Sequence, residues 1–207
     1  MTVHLLLFDF DGVLVDSLDI YSTVVRTALQ KIGMTIIQSK EDYLDLFDGN
    51  FYESLKQKGV DLEAFSRVLP ECRATIDFSK MKTQPGLQPV LEQLSRSDPL
   101  MIISSNDSST IRKLLQRVHW EPYFSQILGA DYLYSKRDKI SVAMQMASIG
   151  PDRTYYIGDT VGDVKEARAA GAKSVVVSWG WHAKQRLARA GPDIIVDRPE
   201  ELLDLEK

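Results

Sequence analysis

The sequence predicts a doubly wound α/β fold, a parallel Rossmann-like sheet with helices on both faces, into which an all-helical segment is inserted. Three observations carry this. Apolar, β-branched runs recur along the chain and are nearly continuous rather than alternating, as expected of strands covered on both faces. Amphipathic stretches separate them, and strand–helix alternation of this kind builds parallel sheets. One region, Ser17 to about Ser79, breaks the alternation and contains no convincing strand.

The expected strands are Val3–Phe8, Leu100–Ser104, Gln126–Leu128, Thr154–Ile157, Ser174–Val177 and Asp193–Val196. Leu87–Leu94 reads as a helix following Pro85-Gly86, and Ser109–Val118 as one opened by polar residues suited to an N-cap. Ile140–Ala147 and Asp163–Ala170 end near Gly150 and Gly171, which are good helix stops. In the inserted region, Tyr21–Ile32 is stopped by Gly33 and Phe51–Lys58 by Gly59. Leu62 to Asp77 is also helical in pattern, with Pro70 expected to interrupt or kink it. The boundaries that follow are a core of residues 1–16 and 80–207 and a helical insert of residues 17–79.

Bulk properties narrow the function. The chain has 207 residues, 44% hydrophobic and 26% charged, enough for one sizeable core plus a small insert. A formal net charge of -4 argues against nucleic acid or an anionic membrane as partner, since both are held by basic patches. Arg186 and Arg189 read as a solvated helix face. The single cysteine, Cys72, excludes an intrachain disulfide and fits a cytoplasmic protein. The run Leu5–Phe8 is too short for a signal peptide or a membrane span. His4, His119 and His182 lack zinc-ligand spacing, so any metal should be a hard cation held by oxygen.

Four segments hold chemistry. The first strand ends in Asp9-Phe10-Asp11-Gly12, two carboxylates where strand becomes loop, the usual location of ligand sites in open α/β sheets. Two buried aspartates there would repel one another, and a bound cation would hold both as carboxylates. Gly158-Asp159-Thr160-Val161-Gly162-Asp163 ends another strand with two more carboxylates. Asp159 alone also reads as a helix N-cap, but that leaves Asp163 unexplained. Ser104-Ser105-Asn106 precedes a helix, where a hydroxyl and backbone N–H groups suit a phosphate oxygen, though a simple N-cap would use the same residues. In Ser135-Lys136-Arg137-Asp138-Lys139, Lys136 or Lys139 would neutralise a phosphoryl group.

Together these segments resemble the haloacid dehalogenase superfamily, in its phosphoglycolate phosphatase-like branch. Asp9-x-Asp11-Gly12 is similar to its first motif, Ser105-Asn106 to its second, Lys136 to its third and Gly158-Asp159-x-x-x-Asp163 to its fourth, in the family's order. Further similarity lies in Val15-Asp16-Ser17, Pro85-Gly86, Glu166-Ala167-x-x-Ala170-Gly171 and the tail Trp179-Gly180-Trp181. The insert matches the family's helical cap domain by position and size.

The resemblance implies strand order 3-2-1-4-5, which brings the ends of the first and fourth strands together. It implies Mg²⁺ held by the Asp9 carboxylate, the Asp11 backbone carbonyl and Asp159, with Asp163 direct or through water. Asp9 would be the nucleophile, Asp11 the acid/base, and Ser105, Asn106 and Lys136 the phosphate-binding groups. The implied partner is a small phosphorylated metabolite, acted on by a monomer or weak homodimer. The alternatives are a sugar-phosphate mutase of the β-phosphoglucomutase type and a non-catalytic binding protein on the same scaffold. The mutase branch carries a histidine where this chain has Tyr21, and a binding protein would be expected to lose one of the four aspartates. Asp48-Gly49-Asn50-Phe51 is expected to be a turn between cap helices that can serve as a specificity loop. Trp179 and Trp181 are expected to pack against neighbouring loops.

Overall fold

A computed structural model describes residues 3–205. Strands β1 (Leu5–Phe8), β4 (Leu100–Ile103), β5 (Phe124–Leu128), β6 (Thr154–Gly158), β7 (Lys173–Val177) and β8 (Ile194–Val196) form one parallel sheet in the order β5-β4-β1-β6-β7-β8. In sequence order this is 3-2-1-4-5 with a sixth strand added at the edge. Two short strands, β2 (Val15–Asp16) and β3 (Lys82–Thr83), pair antiparallel where the chain leaves the core and returns to it.

Both faces of the sheet are covered because its strands are apolar on both. Leu6 and Phe8 pack with residues of α5 (Leu87–Leu94) and α6 (Ser108–Arg117), among them Leu91 and Leu115. Their neighbours Leu5 and Leu7 pack on the opposite face with Ile140 and Ala143 of α7 (Lys136–Ala147) and Ala167 of α8 (Val161–Ala170). This period-2 division is why the β1 run is continuously apolar. A short helix α9 (Lys184–Arg189) follows β7.

The insert is helical: α1 (Leu18–Lys31), α2 (Lys40–Leu44), a 3₁₀ turn over Asp45–Phe47, α3 (Phe51–Gln57) and α4 (Leu62–Arg73). Its apolar residues Val24, Leu55 and Phe65 belong to the same buried cluster as Leu6 and Phe8. Pro70 does not interrupt α4. It lies on the exposed side of the helix, where the carbonyl one turn back loses its N–H partner but can meet water. Helix α2 is an element the sequence reading missed. It is five residues long, and what fixes its start is a capping box in which Ser39 and Asp42 exchange hydrogen bonds. Among the described residues, no helix is long and apolar enough to cross a membrane.

Candidate active site

The parallel register sets the site. Phe8 lies beside Ile157, and the Asp9 N–H donates to the Ile157 carbonyl at 2.8 Å, so Asp9 and Asp159 emerge from adjacent strand ends. Carboxylate oxygens of Asp9, Asp159 and Asp163 all fall within 4.8 Å of one another, and all three residues are buried. Gly12 makes this approach possible. Its φ is +82, and a Cβ there would overlap the Asp159 carboxylate.

Each aspartate is held differently. Asp159 is not the N-cap of α8. Thr160 takes that position, in a capping box with Asp163. Asp163 is saturated: Oδ2 accepts from the Asp159 and Thr160 backbone N–H groups and the Thr160 hydroxyl, and Oδ1 from Lys136 Nζ and the Tyr156 hydroxyl. Asp159 Oδ2 accepts from the Trp181 N–H at 2.6 Å, but its buried Oδ1 has no hydrogen-bond partner. Asp9 Oδ1 accepts from the Phe10 N–H at 2.7 Å, and Oδ2 from Lys136 Nζ at 2.6 Å.

Electrostatics follow from burial. Burial pushes the Asp9 carboxyl up to about 7, with Asp163 adding to it and Lys136 opposing. Burial, then Asp163 and Asp9, pushes Asp159 well above the usual carboxylate range. Asp163 stays below that range because Lys136 and its hydrogen bonds outweigh its own burial. Burial opposes the charge of Lys136, but Asp163 and Asp9 outweigh it and hold the ammonium protonated. One buried ammonium thus faces three clustered carboxylates, and an orphaned carboxylate oxygen adjoins them. A hard divalent cation fits this set: all-oxygen donors, excess negative charge and an unused acceptor.

The Asp11 carboxylate turns away from the cluster. Oδ1 accepts from the Ser17 hydroxyl at 2.7 Å and Oδ2 from the Asn106 amide at 3.3 Å. Burial raises it to about 6, the range for a group that exchanges a proton near neutrality. The Asn106 amide also donates to the Tyr21 hydroxyl. Ser105 lines the same cavity as Asp9, Asp11, Asn106 and Lys136. The N–H groups opening α6 are capped by Asp107, which accepts from Ser109 and Thr110, so that helix start is not open to a ligand.

Between the two lysines the geometry is unambiguous. Lys136 Nζ reaches Asp9 and Asp163, both at 2.6 Å. Lys139 is fully buried and points elsewhere, donating to the backbone carbonyls of Ser104 and, at 3.3 Å, Gly129. It ties the ends of β4 and β5 together. Because α7 starts at Lys136, earlier than the apolar pattern indicates, positions 136 and 139 stand a turn apart and aim at different targets.

The helical insert roofs the cavity with Tyr21, Val25, Tyr43, Phe47, Phe51, Leu69 and Arg73. Trp181 also lines it and packs on Tyr43 and Phe47, whereas the Trp179 indole donates to the Val13 carbonyl. The Asp48–Phe51 segment does more than turn. Asn50 caps α3 and donates to the Tyr134 carbonyl and to Glu166 of α8. Arg186 is not a solvated face: it pairs with Asp45 and Asp48, both at 2.7 Å. His182 accepts at Nδ1 from the Val161 N–H, and its Nε2 lies 3.0 Å from the Leu44 carbonyl, so a neutral ring joins core to insert. No local sequence signal marks Arg73, Tyr43, Phe47 or His182 for these places, because distant segments supply them.

The sequence profile of the haloacid dehalogenase-like hydrolases matches residues 6–177. The chain is 31% identical over 206 residues to a phosphoglycolate phosphatase of Synechococcus elongatus, covering 96% of this chain and 94% of that one. It is 24% identical over 210 residues to a phosphoglycolate phosphatase of Aquifex aeolicus, covering 98% and 96% of the two chains. A haloacid dehalogenase-like family hydrolase from Streptococcus pneumoniae shares the fold, with a TM-score of 0.81 at 24% identity over 99% of each chain. The profile match spans most of the chain, from the first strand through β7, and this protein belongs to the haloacid dehalogenase-like hydrolases.

Proposed function

We propose that this protein is a Mg²⁺-dependent phosphatase that hydrolyses a small phosphomonoester through an aspartyl-phosphate on Asp9. The observation that carries the proposal is the pairing of two different carboxyl environments at one strand end. Asp9 sits in a buried cluster with Asp159 and Asp163, while Asp11, two residues on, is hydrogen-bonded separately and is raised to about 6. One suits a metal-side nucleophile and the other a proton carrier.

In this reading an Asp9 carboxylate oxygen bonds to phosphorus as the ester P–O bond breaks, and protonated Asp11 gives its proton to the leaving alkoxide. Asp11 then takes a proton from water as that water attacks phosphorus, releasing phosphate and restoring Asp9. Lys136, within 2.6 Å of Asp9, neutralises phosphoryl charge, and Ser105 lines the phosphate end of the cavity. Asn106 orients the Asp11 carboxylate. Mg²⁺ would be held by Asp9 and Asp159, with the Asp11 carbonyl and Asp163 completing or supporting the site, and would supply charge neutralisation at the phosphoryl oxygens. Residues 17–79 act as a cap that closes over the cavity and excludes water.

The relatives named phosphoglycolate phosphatase make 2-phosphoglycolate the first ester to assay. The mutase branch carries a cap-hinge histidine at the position this chain gives to Tyr21. Tyr21 is instead a buried phenol whose ionisation is pushed far up by burial and by Asp11, which favours hydrolysis. The test is phosphate release from a panel of phosphorylated metabolites with Mg²⁺, repeated in excess chelator. Activity that survives the chelator overturns the metal assignment, and no release from any ester overturns the phosphatase reading.

A further inference from the structure

We infer that Arg73, at the end of α4, is the specificity residue of this site and reads a carboxylate on the substrate's leaving-group side. The inference rests on the phosphatase reading for the orientation of the substrate and goes beyond it by assigning the second anionic contact.

Among the described residues two cations line the cavity, one from the core and one from the insert. Lys136 belongs to the core and is engaged by Asp9 and Asp163. Arg73 belongs to the insert and stands among Val25, Tyr43, Phe51 and Leu69, a wall otherwise apolar or phenolic. Its side chain is only 15% exposed, and its Nε is buried without a hydrogen-bond partner. Among the described residues its one ion-pair neighbour, Asp107, lies 3.6 Å away, and the other oxygen of that carboxylate is committed to capping α6. The guanidinium also meets the Tyr52 hydroxyl, a neutral group, so it is buried with one loosely held counter-ion and an unsatisfied Nε, which is costly unless a ligand completes it.

The ligand's chemistry follows from what is missing. With its phosphoryl group at Asp9 and Lys136, a small substrate extends its remaining atoms toward the cap wall. Among the described residues, the only full positive charge the insert brings to the cavity is a planar fork of N–H donors, which matches a carboxylate in a bidentate geometry. A second phosphate could take the same fork but would carry more negative charge into a site already facing Asp107, so the single carboxylate is the better match. The substrate class is therefore a short phosphomonoester bearing a single carboxylate.

The experiment compares 2-phosphoglycolate with hydroxyacetone phosphate, a near-isostere in which a methyl replaces one carboxylate oxygen, using wild type, Arg73→Gln and Arg73→Lys. Wild type should favour the carboxylate ester. Arg73→Gln should lower kcat/KM for it by roughly 10- to 100-fold, the value of a hydrogen-bonded charge pair, and change the neutral ester by less than about threefold. Arg73→Lys should recover part of the loss, because charge is kept and the fork is not. An equal loss on both esters, or better hydrolysis of a bisphosphate than of phosphoglycolate, overturns the assignment. A second readout separates it from the phosphatase reading: tryptophan fluorescence of the Asp9→Asn variant titrated with 2-phosphoglycolate. Binding there should weaken when Arg73→Gln is added, and binding that ignores Arg73 overturns the assignment. If wild type hydrolyses neither these esters nor p-nitrophenyl phosphate, the phosphatase reading fails, while the titration still decides whether Arg73 binds a carboxylate.

Discussion

The side-chain amide of Asn50, in the helical insert, donates to Oε1 of Glu166, in the core, at 3.0 Å. The same oxygen accepts the backbone N–H groups of Lys136, at 2.8 Å, and Arg137, at 3.3 Å. One carboxylate oxygen thus anchors the start of the helix that carries Lys136 and also accepts from the insert. The insert–core contact and the placement of the ammonium beside Asp9 share an atom.

Asn50→Ala should therefore do more than remove a helix cap. The capping bonds to Tyr52 and Glu53 predict a stability loss of about 1 kcal/mol. Losing the Glu166 and Tyr134 contacts should also weaken closure and raise KM for every ester. Asn50→Asp keeps the cap but brings a carboxylate against Glu166, so it should restore stability and not KM. Chemical denaturation and steady-state kinetics on both variants check this; equal recovery of both properties in Asn50→Asp would refute the coupling.

Gly162 sets how closely the insert approaches. A Cβ there would collide with the Gly49 carbonyl and would lie 2.8 Å from the Phe47 carbonyl. Gly162→Val should hold the insert open, leaving a folded protein with sharply reduced kcat on all substrates. Near-normal kcat would mean that the insert does not need this approach to function.

Asp159 should be unfavourable to the metal-free fold and favourable to the metal-bound one. It is buried, its Oδ1 lacks a partner, and Asp163 and Asp9 repel its charge. Asp159→Asn should raise the metal-free melting temperature, by ~2–4 °C per kcal/mol relieved, and abolish the rise that Mg²⁺ gives the parent protein. A variant that melts lower without metal and still responds to Mg²⁺ would contradict this.

Asp9 and Asp11 should separate by leaving group. Asp9→Asn should abolish turnover of all esters. Asp11→Asn should cost roughly 10²–10⁴-fold on alkyl esters and much less on p-nitrophenyl phosphate, whose leaving group needs no proton. Equal losses on both substrate types would remove Asp11 from the proton-transfer role.

Lys139 predicts a pH dependence of stability with a definite sign. Burial lowers its pKa to about 7 in the folded chain, against about 10.4 when unfolded. Between these values the unfolded chain binds the extra proton, so this group makes stability rise with pH from about 7 to about 10. Lys139→Met lacks that contribution. Relative to the variant, the parent protein should gain stability between pH 6 and pH 9 in urea unfolding; a difference that stays flat with pH would show that the lysine remains charged when folded.

The sequence by itself determined the architecture and the candidate chemistry. Strand positions were readable because a strand buried on both faces must be apolar at nearly every residue, as Leu5–Phe8 is. The four aspartates were readable because they end two such strands, at Asp9-x-Asp11-Gly12 and at Asp159 to Asp163. What the local pattern left open was the use of each group. Lys136 and Lys139 are alike in sequence, and only the start of α7 aims one at Asp9 and the other at the Ser104 carbonyl. In sequence Asp159 reads as an N-cap, and only the backbone geometry gives the cap to Thr160 and leaves Asp159 an unused oxygen. Arg73, Asn50, Arg186 and His182 acquire their partners through contacts across the insert–core boundary. Those partners lie dozens of residues away along the chain, so no periodicity or spacing encodes them. The tertiary fold decided them, because only packing one apolar surface on another brings such distant polar groups into hydrogen-bonding range.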